Sequence, residues 1–169
     1  MKKLFVTLAC IIVAGFANQG SAQPNNGPLL TENLQSLHIR SVRVNDVHTK
    51  AMRDFIKRNS KAVNIEWMLV NGGYVVKYND NRNSNCRTVY SCHGNYVYTI
   101  KQYNEQQMLH EIRDMVKRTW YDYAINLVEE VLVPAKPVVY IVHLQDAATL
   151  KNIRISEGEM EVIEDHNRG

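Results

Sequence analysis

Two segments of the chain carry apolar residues at helical spacing, and each is followed by runs in which apolar and polar residues alternate. In the first segment, Val47, Ala51, Met52, Phe55 and Ile56 recur every three or four positions, which predicts one apolar stripe on a helix over 46–58. Asn45 or Asp46 can cap it. In the second, Met108, Ile112, Met115 and Val116 form the stripe, with Leu109 and Trp120 flanking. Asn104, with Gln107 three residues on, has the form of a capping box.

Four strands are predicted after the first helix. Val63, Ile65, Trp67 and Leu69 alternate with Asn64, Glu66 and Met68; Asn71-Gly72 signals a two-residue hairpin; Tyr74, Val76 and Tyr78 then alternate with Val75 and Lys77. A polar loop, 80–85, leads to strands over 86–92 and 96–103, joined by a turn at Gly94. Four more are predicted after the second helix, over 123–133, 137–145, 150–156 and 160–165.

The second half follows the plan of the first. RTVYSCHGNYVYTI at 87–100 aligns without a gap on KNIRISEGEMEVIE at 151–164, with Arg87 on Lys151, Val89 on Ile153 and Gly94 on Gly158. The expected fold is therefore α+β: a tandem helix-plus-four-strand repeat (45–103 and 104–165) forming an eight-stranded antiparallel sheet, with two helices packed on one face. Strand parity assigns Glu66, Met68, Lys77, Arg87, Ser91, Thr99, Lys101, Glu129, His143, Arg154 and Glu161 to the opposite, open face, provided that no bulge shifts the register. The same parity places Tyr90, Tyr96 and Tyr98 with Trp67 under the helices, and leaves Tyr103 exposed.

The N-terminus reads as a signal peptide over 1–22: Lys2-Lys3, a short apolar stretch from Leu4 to Phe16, and small residues at Gly20-Ser21-Ala22. The stretch is too short for a membrane span, which needs ~20 residues. Residues 23–44 read as a leader, either a spacer or a short edge segment carrying Leu37, Ile39, Val42 and Val44. The formal charge of +3 falls to +1 once Lys2 and Lys3 leave with the signal, because no acid leaves with them. Such a balance offers no basis for nucleic-acid binding, and no later segment is apolar enough for membrane insertion. The chain is expected to be periplasmic or secreted.

An exported chain left with Cys86 and Cys92 invites a disulfide. On one continuous strand, however, six residues span about 20 Å, which is too far for a bond. Neighbours on a strand also point apart, which separates Cys92 from His93 and Glu129 from Glu130. His110-Glu111 begins like a zinc-protease motif, but Asp114 stands where the second histidine is needed. Neither a nucleophile elbow nor a phosphate-cradling glycine loop occurs. No catalytic residue, metal ligand or cofactor is assigned.

NIEW, GGYVVKY, the hairpin ending YTIKQY, and WYDYAINLVEEV resemble the PepSY-like domains of exported bacterial proteins, over about 45–165. Those domains are similar in fold to the secreted β-lactamase inhibitor proteins. The resemblance implies non-enzymatic binding or inhibition, with an unknown envelope protein or peptide as partner. The candidate partner-binding residues are Met68, Lys77, Arg87, Thr99, Lys101, Tyr103 and His143. The alternative is a small-molecule carrier or sensor with a pocket between the two repeats.

Overall fold

Nine strands hydrogen-bond in chain order into one antiparallel sheet. The computed structural model describes residues 40–167. The signal segment and the leader up to residue 39 lie outside the described residues. The strands are β1 (Arg40–Ser41), β2 (Val63–Val70), β3 (Gly73–Asn79), β4 (Asn85–Ser91), β5 (Tyr96–Tyr103), β6 (Ala124–Leu132), β7 (Val139–Gln145), β8 (Thr149–Ser156) and β9 (Glu159–Asn167). Helix α1 (Thr49–Arg58) precedes β2, and α2 (His110–Thr119) connects β5 to β6. The ninth strand comes from the leader: Arg40 and Ser41 pair with Leu69 and Met68, and Val42 N donates to Trp67 O at 3.1 Å. Two residues are too few to leave a periodic signal in the sequence.

Both helices start later than their stripes suggest. A single 3-10 turn precedes each one, Val44–Asp46 and Glu105–Gln107. Asn104 does cap, but it caps the 3-10 turn, accepting from Gln106 N. The α1 cap is His48, whose Nδ1 accepts from Lys50 N at 3.1 Å. Ile56, expected on the buried stripe, is 59% exposed.

The core comprises two apolar clusters on the same side of the sheet. Beneath α1, the Phe55 ring meets Trp67 and Tyr78 edge-on, with centroids 5.5 and 5.1 Å apart. Val47, Ala51, Val76, Cys86 and Tyr90 complete that cluster. Beneath α2, Val116 and Met108 pack on Tyr103, Val128, Val142, Ile153 and Ile155. Both helices are on one face because directly paired residues share a face. That identity runs from Cys86 in the first cluster, through its partner Lys101, to Tyr103 in the second.

One residue decides much of the facing. Tyr98 pairs with Val89 and Tyr96 with Tyr90, so Val97 is an extra residue in β5. Such a bulge reverses the parity of everything beyond it. It turns Tyr98 to the face opposite the helices, which the described residues leave uncovered, against expectation, and turns Thr99, Lys101 and Tyr103 toward the helices. Tyr90 and Tyr96 lie with Trp67 as expected, in ring contact with Tyr90 between the other two.

Gly94 and Gly158, which align in sequence, both take positive φ, +74° and +80°. Their surroundings differ. A Cβ on Gly94 would stand 2.7 Å from His48 Nδ1 and 2.9 Å from Ala51 N, whereas one on Gly158 would meet nothing within 4 Å. The loop holding Gly94 is thus pressed onto the start of α1. We expect Gly158→Ala to cost about 1–2 kcal/mol, the penalty of a left-handed non-glycine residue, and Gly94→Ala to cost clearly more. Urea unfolding of the two variants checks this, and equal costs would mean that the loop–helix contact is slack.

Candidate partner-binding face

On the uncovered face the strand register lines side chains up in rows that run across the sheet. Met68, Val75, Val89 and Tyr98 form one apolar row over β2–β5. Beside it runs Glu66, Lys77, Arg87, Ile100, Val131 and Val139, charged at one end and apolar at the other. The next row is polar: Asn79, Asn85, Gln102, Glu129, then Ile141, Arg154 and Glu161. Leu127, His143, Asn152 and Glu164 follow on β6–β9. Successive rows are about 7 Å apart along the strands.

Of the residues expected here, Lys77, Arg87 and His143 do lie on this face. Met68 does too, but it is 8% exposed beside its β1 partner Ser41. The other three belong to the helix side. Thr99 is 6% exposed, its hydroxyl 2.8 Å from that of Thr88. Tyr103 sits in the α2 cluster and donates to Glu130 at 3.0 Å. Lys101 pairs with Cys86 and Glu130 and borders a hollow at the end of α1. The Val97 bulge accounts for all three displacements. The residues that sequence parity missed are Tyr98 and Gln102. Their only advance signal was the Tyr-Val-Tyr run itself, which reads equally well without a bulge.

The middle of the face carries a charge cluster. Gln102 Nε2 donates to Glu129 Oε1 at 2.7 Å. His143 Nε2 stands 4.0 Å from Glu129 Oε2, and that nitrogen is buried without a hydrogen-bond partner among the described residues. His143 is the largest influence holding the Glu129 carboxyl below its usual range; Gln102 adds to it, and burial opposes them. Glu129 and Glu130 face apart, as expected for strand neighbours.

Two shallow depressions flank the β3–β4 pair. On the uncovered face, a depression of about 260 Å³ lies between Lys77 and Arg87, with Asn79, Asn85, Gln102 and Ile100 in its wall. On the helix side, one of about 230 Å³ is bordered by Arg58, Lys61, Lys101 and Asp80. There Arg58 is already bound to Asp54, Nε to Oδ2 at 2.7 Å. The carboxylate of Asp80 accepts from Arg82 N and Ser84 N.

Cys86 and Cys92 are both free. Cys92 lies in the loop after β4 rather than on the strand. Its Sγ is therefore 3.2 Å from His93 Nδ1, a contact that strand geometry would forbid. Cys86 is buried, and burial pushes its thiol up to about 11.

Two outcomes follow from these groups. Iodoacetamide at pH 8 is expected to alkylate Cys92 first, with Cys86 protected until the chain unfolds; comparable rates on the native protein would contradict the burial of Cys86. A carboxyl whose folded pKa is depressed contributes stability above its unfolded value, ~4.3 for Glu. That contribution is lost as pH falls through the folded value. Glu129→Gln should therefore lower the melting temperature at pH 7 and lose that deficit toward pH 3. A deficit that does not change with pH would count against the coupling to His143.

The chain matches no family model, and no curated protein resembles it in sequence. Solved structures do share its fold. A BLIP-like protein from Bacteroides fragilis superposes with a TM-score of 0.58 at 12% identity, covering 72% of this chain and 86% of that one. A DUF2874 family protein from Bacteroides uniformis gives 0.56 at 14% identity, covering 70% and 88%. A candidate periplasmic protein from Bacteroides eggerthii gives 0.56 at 14%, covering 72% and 88%. At these identities the likeness is one of fold: a BLIP-like antiparallel sheet with two helices.

Proposed function

We propose that this chain is a non-enzymatic exported binding module that docks a protein or peptide on the uncovered face of its sheet. The observation that carries the reading is the asymmetry of the sheet. One face is closed by α1 and α2, while the other presents the apolar row ending at Tyr98 beside the charged side chains of Lys77 and Arg87. An apolar patch rimmed by polar groups is the usual form of a protein-binding surface. The name of the Bacteroides eggerthii structure favours the periplasm, in line with the signal-like segment at 1–22. The BLIP-like neighbour makes steric occlusion of a partner a natural mode of action. No bond is made or broken in this reading, and no cofactor takes part.

We further read the two halves as repeats of one unit, in keeping with the PepSY-like sequence pattern. In support, each half has a 3-10 turn, a ten-residue helix and four sequential strands. Each helix also ends in a residue whose N–H returns to the fourth carbonyl before it: Asn59 to Phe55, Trp120 to Val116.

Placing a photo-crosslinking amino acid at Tyr98, with Arg118 on α2 as control, tests the docking face. In native envelope extract, one dominant protein adduct from position 98 and none from 118 is expected. Equal labelling from both positions, or none from position 98 on folded protein, would dismiss the open-face reading in favour of a small-molecule carrier.

A further inference from the structure

Aliphatic side chains that the fold leaves exposed gather at the two outer edges of the sheet. Ile56, Val63 and Ile65 stand at the first edge, Val162 and Ile163 at the last. Single exposed aliphatics are ordinary, whereas clusters mark contact surfaces.

At the first edge, β1 pairs only with Leu69 and Met68, and Val42 N reaches Trp67 O. Among the described residues, β2 therefore has no neighbour on its outer side from Val63 to Glu66. Helix α1 turns one flank to β4 and β5: Asp54 accepts from the Tyr90 hydroxyl at 3.0 Å, and the Arg58 guanidinium lies over the Tyr96 ring. Ile56, two residues from each, is on the opposite flank, toward β2. Ile65 is on β2 itself and 49% exposed. The fold does not require isoleucine at either place. Helix α2 and the first pairs beside it match those of α1 sixty-one residues on, Thr49 to His110 and Arg40–Leu69 to Lys101–Glu130. Lys117 and Asn126 stand at the corresponding positions. Arg53 and Lys57, exposed on α1, have no carboxylate partner among the described residues.

At the last edge, Val162 and Ile163 of β9 are 47% and 43% exposed. Val162 pairs with the core residue Ile153, and Ile163 is an extra residue between two pairs. Glu161 and Asp165 are already matched to Arg154 and Lys151. Glu157 and Glu159, exposed at the start of the strand, have no ion-pair partner among the described residues. One edge thus offers aliphatic side chains beside unmatched cations, and the other offers them beside unmatched carboxylates.

We infer that these edges meet between copies of the chain: β9 of one molecule docks on the α1–β2 edge of the next. Val162 and Ile163 seat against Ile56 and Ile65, with Glu157 and Glu159 toward Arg53 and Lys57. The two surfaces differ, so the contact is heterologous, and each added copy leaves one edge of each kind free. This contact leaves open the docking face proposed above and does not depend on it. With so few side chains, it belongs to the small, weak class of interfaces.

Sedimentation velocity of the protein purified from the cell envelope tests the contact. The average mass should rise with concentration and fall with added salt, since the charge pairs are exposed. Two variants break one edge each: Ile56→Lys with Ile65→Asn, which takes the residues of the second half, and Glu159→Lys with Val162→Lys. Each alone should associate on the order of tenfold more weakly, the loss that follows from one half-buried aliphatic side chain. Mixed, they should form a one-to-one dimer, because the first keeps its β9 edge and the second its α1–β2 edge. Circular dichroism establishes that each variant is folded. Should one not fold, Arg53→Glu with Lys57→Glu, rescued by Glu157→Lys with Glu159→Lys, asks the same question at exposed positions.

A monomer at every concentration would overturn the contact, as would association that persists in folded Ile56→Lys/Ile65→Asn. Loss of association in both variants without recovery on mixing would overturn it in favour of a symmetric dimer. Association lost in Tyr98→Lys but kept in both edge variants would overturn it in favour of self-docking through the uncovered face.

Discussion

Five registered pairs between β5 and β6, from Thr99–Leu132 to Tyr103–Val128, hold the protein together as one sheet. Each helix covers its own apolar cluster, and neither cluster reaches across to the other helix. Without this pairing there would be two small sheets, each with a single helix and an extra raw edge, and small cores of that kind are marginal. Side chains also bond across the seam, Gln102 Nε2 to Glu129 and the Tyr103 hydroxyl to Glu130. A buried polar series runs up to it within the first half. Asn59 Oδ1 accepts from the Tyr78 hydroxyl at 2.9 Å, which lies 3.3 Å from Thr88 Oγ1, which in turn meets Thr99 Oγ1 at 2.8 Å. Buried hydroxyls are costly unless each finds a partner, and here they satisfy one another in series. Burial drives the Tyr78 hydroxyl up to about 12, so the series stays neutral.

The parts of this fold that were legible in the sequence are those set by long periodic runs. The stripe Ala51–Phe55 and the alternation through Trp67, Val76 and Tyr78 report burial on one side, and the structure places them there. The connection at Asn71-Gly72 is the two-residue hairpin its composition suggests, although only Gly72 takes positive φ. The missed features are local events with no periodic trace. A 3-10 turn before a helix, a two-residue strand and one extra residue in β5 each change a backbone path without changing the hydrophobic pattern around it.

That distinction falls hardest on the binding face. Lys77 and Arg87 were found because β3 and β4 pair without a break over seven residues. Thr99, Lys101 and Tyr103 were misplaced because they follow the bulge. Met68 was placed on the right face but misjudged as accessible: it is buried there. The local irregularities of this face left as little trace in the sequence: Asn64 takes a left-handed backbone, and the His143 Nε2 is buried without a hydrogen-bond partner among the described residues.

The bulge at Val97 also bears on how the chain can vary in length. Cys92–Asn95 form a connecting loop that lies against the start of α1, so an added or lost residue there disturbs that one contact. At Val97 the same change of one residue would exchange inside for outside along the rest of β5. Tyr103 would leave the core, and the charge of Lys101 would move to the face that carries Arg87. Two adjacent stretches of the same hairpin therefore answer to different constraints: the first to the helix start it touches, the second to everything downstream of it.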